Sequence, residues 1–154
     1  MAVVLGDVLD EAQVALELRG ETLADALREI AATITGATKL REPEKFVAQA
    51  LTRERTMTTY VGNGVAFPHA RTDLVEKILL GIGRSQRGVA FSGGDPAKLI
   101  FLIAVPRRMV TDYLVCVGAL ARLTRDEKTR ATLMNAATAQ ELIQILREGS
   151  LVLE

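Results

Sequence analysis

One uninterrupted apolar run constrains the fold of this chain more than any other feature. Residues 98–105 read KLIFLIAV and contain no polar side chain after the lysine. A half-exposed strand would alternate apolar and polar residues, whereas a strand that is covered on both faces need not. We therefore expect this run to form the central strand of a sheet, to end at Pro106, and to have helices on both of its faces.

The remaining elements are predicted from turn signals, capping residues and helical spacing. Strands are expected at 15–18 and 77–84, with a turn at 92–96 before the central strand. Helices are predicted over residues 22–34, 42–55 and 111–123, and two more begin at capping boxes in residues 124–127 and 138–141. The side chains predicted to point inward are Leu23, Leu27, Ile30, Ile34, Phe46, Val47, Ala50, Leu51, Leu114, Val117, Leu120, Ala121, Leu142, Ile145 and Leu146.

Composition excludes several classes of protein. Lys plus Arg and Asp plus Glu each number 19 in 154 residues, so the broad charge attraction that nucleic-acid binding requires is absent. A single histidine and a single cysteine, Cys116, cannot supply the usual ligands of a zinc site, and no cofactor is implied. The start of the chain does not resemble a signal peptide, and no apolar run approaches the roughly 20 residues of a membrane span. We expect one α/β domain over residues 1–154, in the cytoplasm, with no direct membrane insertion.

The single histidine, His69, is the first candidate for chemistry. It lies in the stretch GNGVAFPHAR of residues 62–71, which we interpret as a shaped loop because two glycines permit tight turns and Pro68 stiffens the backbone. A neutral imidazole can attack phosphorus through one nitrogen when the other is held as a hydrogen-bond donor. A lone histidine is also often only a packed or surface residue, so both interpretations remain open at this point.

Three groups before His69 suggest an anion site. Arg53 offers a charged donor at a helix end, Thr58 and Thr59 offer hydroxyl groups, and the turn around Asn63 offers backbone N–H groups. The simpler alternative for Arg53 is a solvated helix end, since spacing along the chain does not establish proximity in space.

The stretch of residues 51–71 resembles the active-site signature of the enzyme IIA domain, fructose/mannitol type, of the bacterial phosphotransferase system. The resemblance continues through Val89-Ala90-Phe91 with Asp95, the apolar strand ending at Pro106, and Asp112-Tyr113-Leu114, and so covers nearly the whole chain. It implies the fold of that family, with a mixed sheet flanked by helices on both faces.

The resemblance also implies a function. His69 would accept a phosphoryl group from the carrier HPr or from its nitrogen-branch counterpart NPr, and would pass it to a IIB component or use it as a regulatory signal to a transporter or kinase. Arg53 matches the active-site arginine of the family. Arg53 and Thr59 would stabilise the phosphoryl oxygens, with Thr58, Tyr113 and Asn63 as secondary site residues. No metal or organic cofactor is implied. The absence of a fused IIB or membrane domain in the sequence favours the nitrogen-regulatory branch over sugar uptake.

Two positions depart from the family pattern. Tyr60 stands where glycine is common, which predicts a narrower pocket, and Tyr113 stands where many members have a second histidine. A phenol donates one hydrogen bond but stays neutral near pH 7, so it lacks the proton-shuttling range of an imidazole. These departures motivate an alternative, namely a regulatory binding module of the same fold that has lost efficient phosphotransfer.

Overall fold

A six-stranded sheet is the framework on which the described residues, 3–37, 40–92 and 95–153, are arranged in the computed structural model. The strands are β1 Val14–Ala15, β2 Tyr60–Gly62, β3 Val65–Ala66, β4 His69–Thr72, β5 Leu79–Val89 and β6 Ala97–Pro106. The α-helices are α1 Leu23–Ala37, α2 Pro43–Thr56, α3 Val110–Arg125, α4 Glu127–Asn135 and α5 Ala139–Leu153. None of the helices in the described part combines the length and the apolar composition that crossing a bilayer requires.

β6 lies at the centre of the sheet, which confirms the prediction from the apolar run. It pairs antiparallel with β5 on one side and parallel with β3 and β4 on the other. β1 and β2 lie at opposite edges. Every residue of β6 except Lys98 is buried. A strand that is paired on both sides and covered on both faces has no exposed position, and its sequence therefore does not alternate.

Two hydrophobic clusters cover the two faces of the sheet. α1 and α2 pack on one face, where Phe46 belongs to the same cluster as Ile100 and Leu102. α3, α4 and α5 pack on the other face, around Phe101 and Ile103. Successive residues of β6 enter different clusters because strand side chains point alternately to opposite faces. The predicted mixed sheet with helices on both faces is confirmed.

Strands β1 and β5 differ from their predicted ranges. β1 has two residues instead of the predicted 15–18, because the chain bends directly after Ala15. β5 is longer than the predicted 77–84, since after an irregular stretch of register Val89 pairs with β6 again. The two glycines in the middle of the predicted turn 92–96 lie outside the described residues.

Helix α3 corrects one predicted inward residue. Leu114 is 58% exposed, whereas Cys116 and Leu120 are buried. An α-helix turns by about 100° per residue, and Leu114 therefore lies beside the buried stripe of α3 and not within it.

The predicted starts of the last two helices are confirmed only in part. Thr124 does not cap α4, because it is buried in the last turn of α3 and donates its hydroxyl to a carbonyl one turn earlier. Asp126 caps α4 instead, with a carboxylate that accepts from the helix. At α5, Thr138 accepts from the Glu141 N–H at 3.0 Å as predicted, while the Glu141 carboxylate accepts from the Ala137 N–H at 2.8 Å.

Candidate active site

His69 is the first residue of β4, and the prediction that it lies in a loop is therefore wrong. It pairs with Ile103 of β6, and the Pro68 carbonyl accepts from the Ile103 N–H at 3.0 Å. Both β3 and β4 pair with β6. Because proline has no N–H to donate, Pro68 separates the two strands, and pairing with β6 resumes at His69. The register of a strand against the central strand thus positions the imidazole.

The imidazole of His69 is held in one tautomer. Its Nδ1 lies 3.0 Å from the Phe67 carbonyl oxygen, and because a carbonyl can only accept, Nδ1 carries the proton. Nε2 makes no hydrogen bond to any described residue and is not fully buried. The lone pair of Nε2 is therefore free to react with a group that approaches from solvent.

The surroundings keep this ring neutral. Burial lowers the pKa of His69 most, and the positive charges of Arg53 and Arg71 lower it further. The hydrogen bond to Phe67 and the negative charge of Glu54 oppose this shift without reversing it. Near pH 7 the imidazole is consequently uncharged.

Two arginines lie close enough to His69 to affect its protonation. Arg53, in the last turn of α2, donates to the Met57 carbonyl at 3.0 Å, and its charge acts on both His69 and Tyr113. Arg71 lies two residues after His69 on β4 and so points to the same side of the strand. The structure therefore brings together His69 and Arg53, as predicted, and adds Arg71, which alternation along a strand would have indicated.

A buried carboxylate that the sequence analysis missed organises the two threonines. Glu54 is 5% exposed. Its Oε2 accepts from the Thr58 hydroxyl at 2.7 Å and from the Thr59 N–H at 2.6 Å, and its Oε1 accepts from the Thr59 hydroxyl at 2.7 Å. Both threonine hydroxyls thus donate their protons to Glu54. Helical spacing could have predicted the burial of Glu54, because it lies one turn after Ala50 on the buried face of α2.

Tyr113, in the first turn of α3, lies against the imidazole. The two ring centroids are 4.9 Å apart and the rings are tilted by 33°. Burial raises the pKa of the Tyr113 phenol, so it stays protonated and uncharged near pH 7. Its hydroxyl makes no hydrogen bond to the residues that the structure describes, which leaves one donor available beside His69.

The glycine turn does not reach His69. Val65 pairs with Leu99 and His69 pairs with Ile103, so the two lie four residues, or about 13 Å, apart along β6. Asn63 lies farther away still, in the turn before Val65, with a positive φ of 55°. The structure therefore does not bring Asn63 or its neighbouring N–H groups to the imidazole.

Tyr60 also turns away from His69. Its ring packs against Phe91, with the centroids 6.4 Å apart, and its hydroxyl accepts from the Gly64 N–H at 3.0 Å. The prediction that this ring narrows the pocket finds no support in that arrangement, because the ring stabilises the turn of the β2–β3 hairpin instead.

Two other residue-based possibilities are a reactive thiol and a metal site. Burial raises the pKa of the Cys116 thiol to about 11, and the side chain is 1% exposed, so the thiol stays protonated and inaccessible. Within the described ranges, no three His, Cys, Asp or Glu side chains form a group that could hold a metal ion.

The sequence matches a known family along most of its length. Residues 7–149 match the family described as Phosphoenolpyruvate-dependent sugar phosphotransferase system, EIIA 2. The chain belongs to this family. It is thereby a member of the EIIA-type phosphoryl carriers, which are components of the phosphotransferase system.

Relatives of this EIIA 2 chain include sugar-specific and regulatory proteins. The PTS system fructose-specific EIIA component of Haloferax volcanii is 40% identical over 100 residues, which are 64% of this chain and 65% of that protein. The PTS system fructose-specific EIIABC component of Bacillus subtilis is 27% identical over 92% of this chain and 23% of its own length. The match thus spans less than two thirds of both fructose-specific proteins. The Nitrogen regulatory protein of Bradyrhizobium diazoefficiens is 34% identical over 84% of this chain and 85% of that protein.

Solved EIIA structures share the fold. The nitrogen regulatory protein IIA-Ntr of Neisseria meningitidis has a TM-score of 0.81 at 24% identity, over 92% of this chain and 97% of that chain. IIAMtl of Escherichia coli, in complex with phosphorylated IIBMtl, has a TM-score of 0.78 at 21% identity. This match covers 91% of this chain and 97% of that chain. At these identities the likeness establishes the shared architecture alone.

Proposed function

We propose that this chain carries a phosphoryl group on Nε2 of His69, which it accepts from the phosphohistidine of HPr or of its nitrogen-branch counterpart NPr. The observation that carries this proposal is the hydrogen bond from Nδ1–H to the Phe67 carbonyl, which leaves the Nε2 lone pair free. Burial beside Arg53 and Arg71 supports it, because an imidazole with a lowered pKa remains a neutral nucleophile near pH 7.

The transfer moves the phosphoryl group as a unit. A bond forms between Nε2 of His69 and phosphorus as the bond between phosphorus and the donor nitrogen breaks, and the donor nitrogen keeps the electron pair. Nδ1 retains its proton throughout, and the resulting positive ring is stabilised by the Phe67 carbonyl that accepts it. The phosphoryl group adds negative charge at a surface that was neutral at His69.

The arginines and the neighbouring hydroxyl groups would stabilise the phosphoryl oxygens. Arg53 provides the nearby charged donor, and Arg71 adds a second positive charge on the same side of β4. The Tyr113 hydroxyl has no partner among the described residues and offers one further donor. Thr58 and Thr59 donate their hydroxyl protons to Glu54, so either would have to exchange that partner before it donates to a phosphoryl oxygen.

For the destination of the phosphoryl group we propose regulation over sugar uptake. The match to a nitrogen regulatory protein combines 34% identity with coverage of 84% of this chain and 85% of that protein. The fructose-specific EIIABC and mannitol-specific IIA components cover 92% and 94% of this chain, but at 27% and 25% identity. The regulated partner would then be a transporter or kinase that distinguishes His69 from phosphohistidine. A IIB component is the alternative acceptor, as in the solved complex of IIAMtl with phosphorylated IIBMtl.

The direct test is phosphorylation by reconstituted carriers. The full chain is incubated with phosphoenolpyruvate, enzyme I and either HPr or NPr, and the intact mass is measured for the wild type and for His69→Ala. We expect one acid-labile phosphoryl group on the wild type and none on His69→Ala, because the chain has no other histidine. Absence of the adduct on the wild type with both carriers would refute the proposal.

A second candidate function is a binding module without efficient phosphotransfer. It is favoured by Tyr113, whose neutral phenol cannot exchange protons near pH 7 as a second imidazole would. This function predicts that partner proteins bind equally well to the wild type, His69→Ala and His69→Asp in pull-down experiments. Strong discrimination by the His69→Asp charge would favour the phosphoryl carrier instead.

A further inference from the structure

A chain of hydrogen bonds connects Glu54 to the reactive ring. The Thr59 N–H donates to Glu54 Oε2 at 2.6 Å, and the Phe67 N–H donates to the Thr59 carbonyl at 3.2 Å. His69 Nδ1–H then donates to the Phe67 carbonyl at 3.0 Å. Thr59 and Phe67 are thus each held at both their N–H and their carbonyl groups. The orientation of the imidazole consequently depends on residues that Glu54 holds in place.

Glu54 is suited to act as a rigid anchor. Its carboxylate is almost completely buried and accepts three hydrogen bonds from Thr58 and Thr59, so neither oxygen is left without a donor. α2 itself is fixed to the sheet by Phe46 and Ala50, which are fully buried on the same side of the helix as Glu54. A buried carboxylate with this many donors is held in one position.

We infer that Glu54 is a positioning residue for His69. By holding Thr59, and through it the backbone of Phe67, Glu54 keeps the imidazole proton on Nδ1 and the lone pair on Nε2. Carboxylates beside catalytic and metal-binding histidines fix the tautomer by direct contact, and here the same result is reached through two intervening residues. The catalytic role of this arrangement rests on the proposed phosphoryl transfer. The tautomer of His69 can be measured whether or not the protein transfers a phosphoryl group.

The charged and titratable groups that face the imidazole come from three elements. Arg53 and Glu54 belong to α2, Arg71 to β4 and Tyr113 to α3. The two arginines disfavour a positive ring, the phenol is uncharged near pH 7, and Glu54 alone favours a positive ring. Removal of the Glu54 charge therefore lowers the pKa of His69 further. It also destabilises the positive ring that exists while Nε2 carries a phosphoryl group.

The test combines nitrogen NMR of the single histidine with transfer kinetics in Glu54→Gln, which keeps the shape of the side chain and removes its charge. In the wild type above neutral pH, we expect the Nδ1–H tautomer to dominate and a scalar coupling to join Nδ1 to the Phe67 carbonyl carbon. In Glu54→Gln, we expect a shift towards the Nε2–H tautomer and a lower pKa of His69. We also expect kcat for phosphorylation by HPr or NPr to fall about tenfold, with KM for the carrier unchanged.

Glu44→Gln is the matched control. Glu44 lies on the same helix, ten residues or about 15 Å before Glu54, and its side chain is 76% exposed. It should leave the tautomer, the pKa of His69 and kcat at their wild-type values.

Either of two results overturns the inference. One is a dominant Nε2–H tautomer in the wild type, a measurement that requires no variant to fold. The other is a folded Glu54→Gln protein with the wild-type tautomer, pKa and kcat. If no carrier phosphorylates the wild type but the Nδ1–H tautomer dominates and depends on Glu54, the proposed function fails while the positioning role stands.

Discussion

The residues around the His69 imidazole affect its charge, its proton position and its exposure. Burial and the positive charges of Arg53 and Arg71 oppose its protonation, while the Phe67 carbonyl fixes the proton that it carries. Tyr113 covers the ring without adding charge. These surroundings leave an uncharged ring whose Nε2 accepts no hydrogen bond from the described residues.

The lowered pKa of His69 predicts a dependence of stability on pH. As pH falls below the ordinary value of 6.5, the unfolded chain binds a proton at His69 before the folded protein does. The free energy of unfolding therefore decreases until pH passes below the folded pKa, where this contribution levels off. Urea unfolding of the wild type and of His69→Gln over this pH range checks the prediction. An equal slope in both proteins would contradict it.

Substitution of Tyr113 tests the consequence of the missing second histidine. Tyr113→His places a group that titrates near neutral pH beside His69, and we expect it to increase the rate of phosphoryl transfer by about tenfold. Tyr113→Phe keeps the ring and removes only the hydroxyl, which makes it the matched control. The measurement is the initial rate of phosphoryl transfer from the phosphorylated carrier. Equal rates in the wild type, Tyr113→His and Tyr113→Phe would show that the ring at position 113 acts by packing alone.

At the scale of the elements, the close approach of α1 to β5 depends on glycine. A Cβ atom at Gly83 would lie 2.6 Å from Ile30 Cδ1 and 2.8 Å from Leu18 Cδ1, and one at Gly81 would lie 2.6 Å from Ile30 Cγ2. These distances are too short for carbon atoms that are not bonded. The two glycines therefore set the distance between the helix and the sheet that carries His69.

This packing predicts opposite effects for two glycine substitutions. Gly83→Ala should lower the free energy of unfolding by about 1–3 kcal/mol, because Ile30 and Leu18 would have to move. Gly118→Ala, in α3, should raise it by about 0.5–1 kcal/mol, since a Cβ there meets nothing within 4 Å and alanine favours helix. Denaturant midpoints of the two variants measure this difference. Equal stability of both variants would show that α1 shifts without cost.

At the scale of the whole molecule, one buried cation connects distant parts of the chain. Arg84 on β5 is 5% exposed. Its Nε donates to the Leu16 carbonyl at 3.1 Å, and its Nη1 donates to the carbonyls of Leu133 and Ala136 at 3.0 and 2.7 Å. The segment after β1, the sheet and the end of α4 are thereby joined at one guanidinium, which pairs with no carboxylate among the described residues.

Removal of this guanidinium should weaken the fold. Arg84→Met keeps most of the side-chain volume but removes the donor from the Leu16 and Ala136 carbonyls and leaves Leu133 with only the 3.4 Å bond from the Ala136 N–H. We expect a loss of about 2–4 kcal/mol in the free energy of unfolding. Arg87→Met is the control, because Arg87 is exposed and pairs with Glu21 at the surface, so its loss should cost less than about 1 kcal/mol. Calorimetry of both variants tests the difference. A loss in Arg84→Met as small as in the control would mean that water replaces the donors.

Much of the architecture could be predicted because each signal was local. The apolar run indicated a doubly covered strand, and Thr22 with Pro43 indicated where two helices begin. Errors arose where packing overrode a local signal. Thr124 has the sequence context of a cap but is buried in the end of α3, and Leu114 is apolar but lies outside the buried stripe.

For the candidate site too, some features could be predicted from the sequence and others depend on the fold. The family, the mixed sheet with helices on both faces, and His69 as the candidate nucleophile could be predicted from the amino-acid sequence, since they depend on residue types in a fixed order. Which side chains lie near the imidazole could be read only from the folded chain. The fold places Arg71 on the same side of β4 as His69, connects Glu54 to the ring through Thr59 and Phe67, and leaves Asn63 distant. Strand register and helix packing set these distances, and chain spacing does not. The tautomer of His69 belongs to the same category, since a carbonyl must lie within hydrogen-bonding distance before a proton is held on Nδ1.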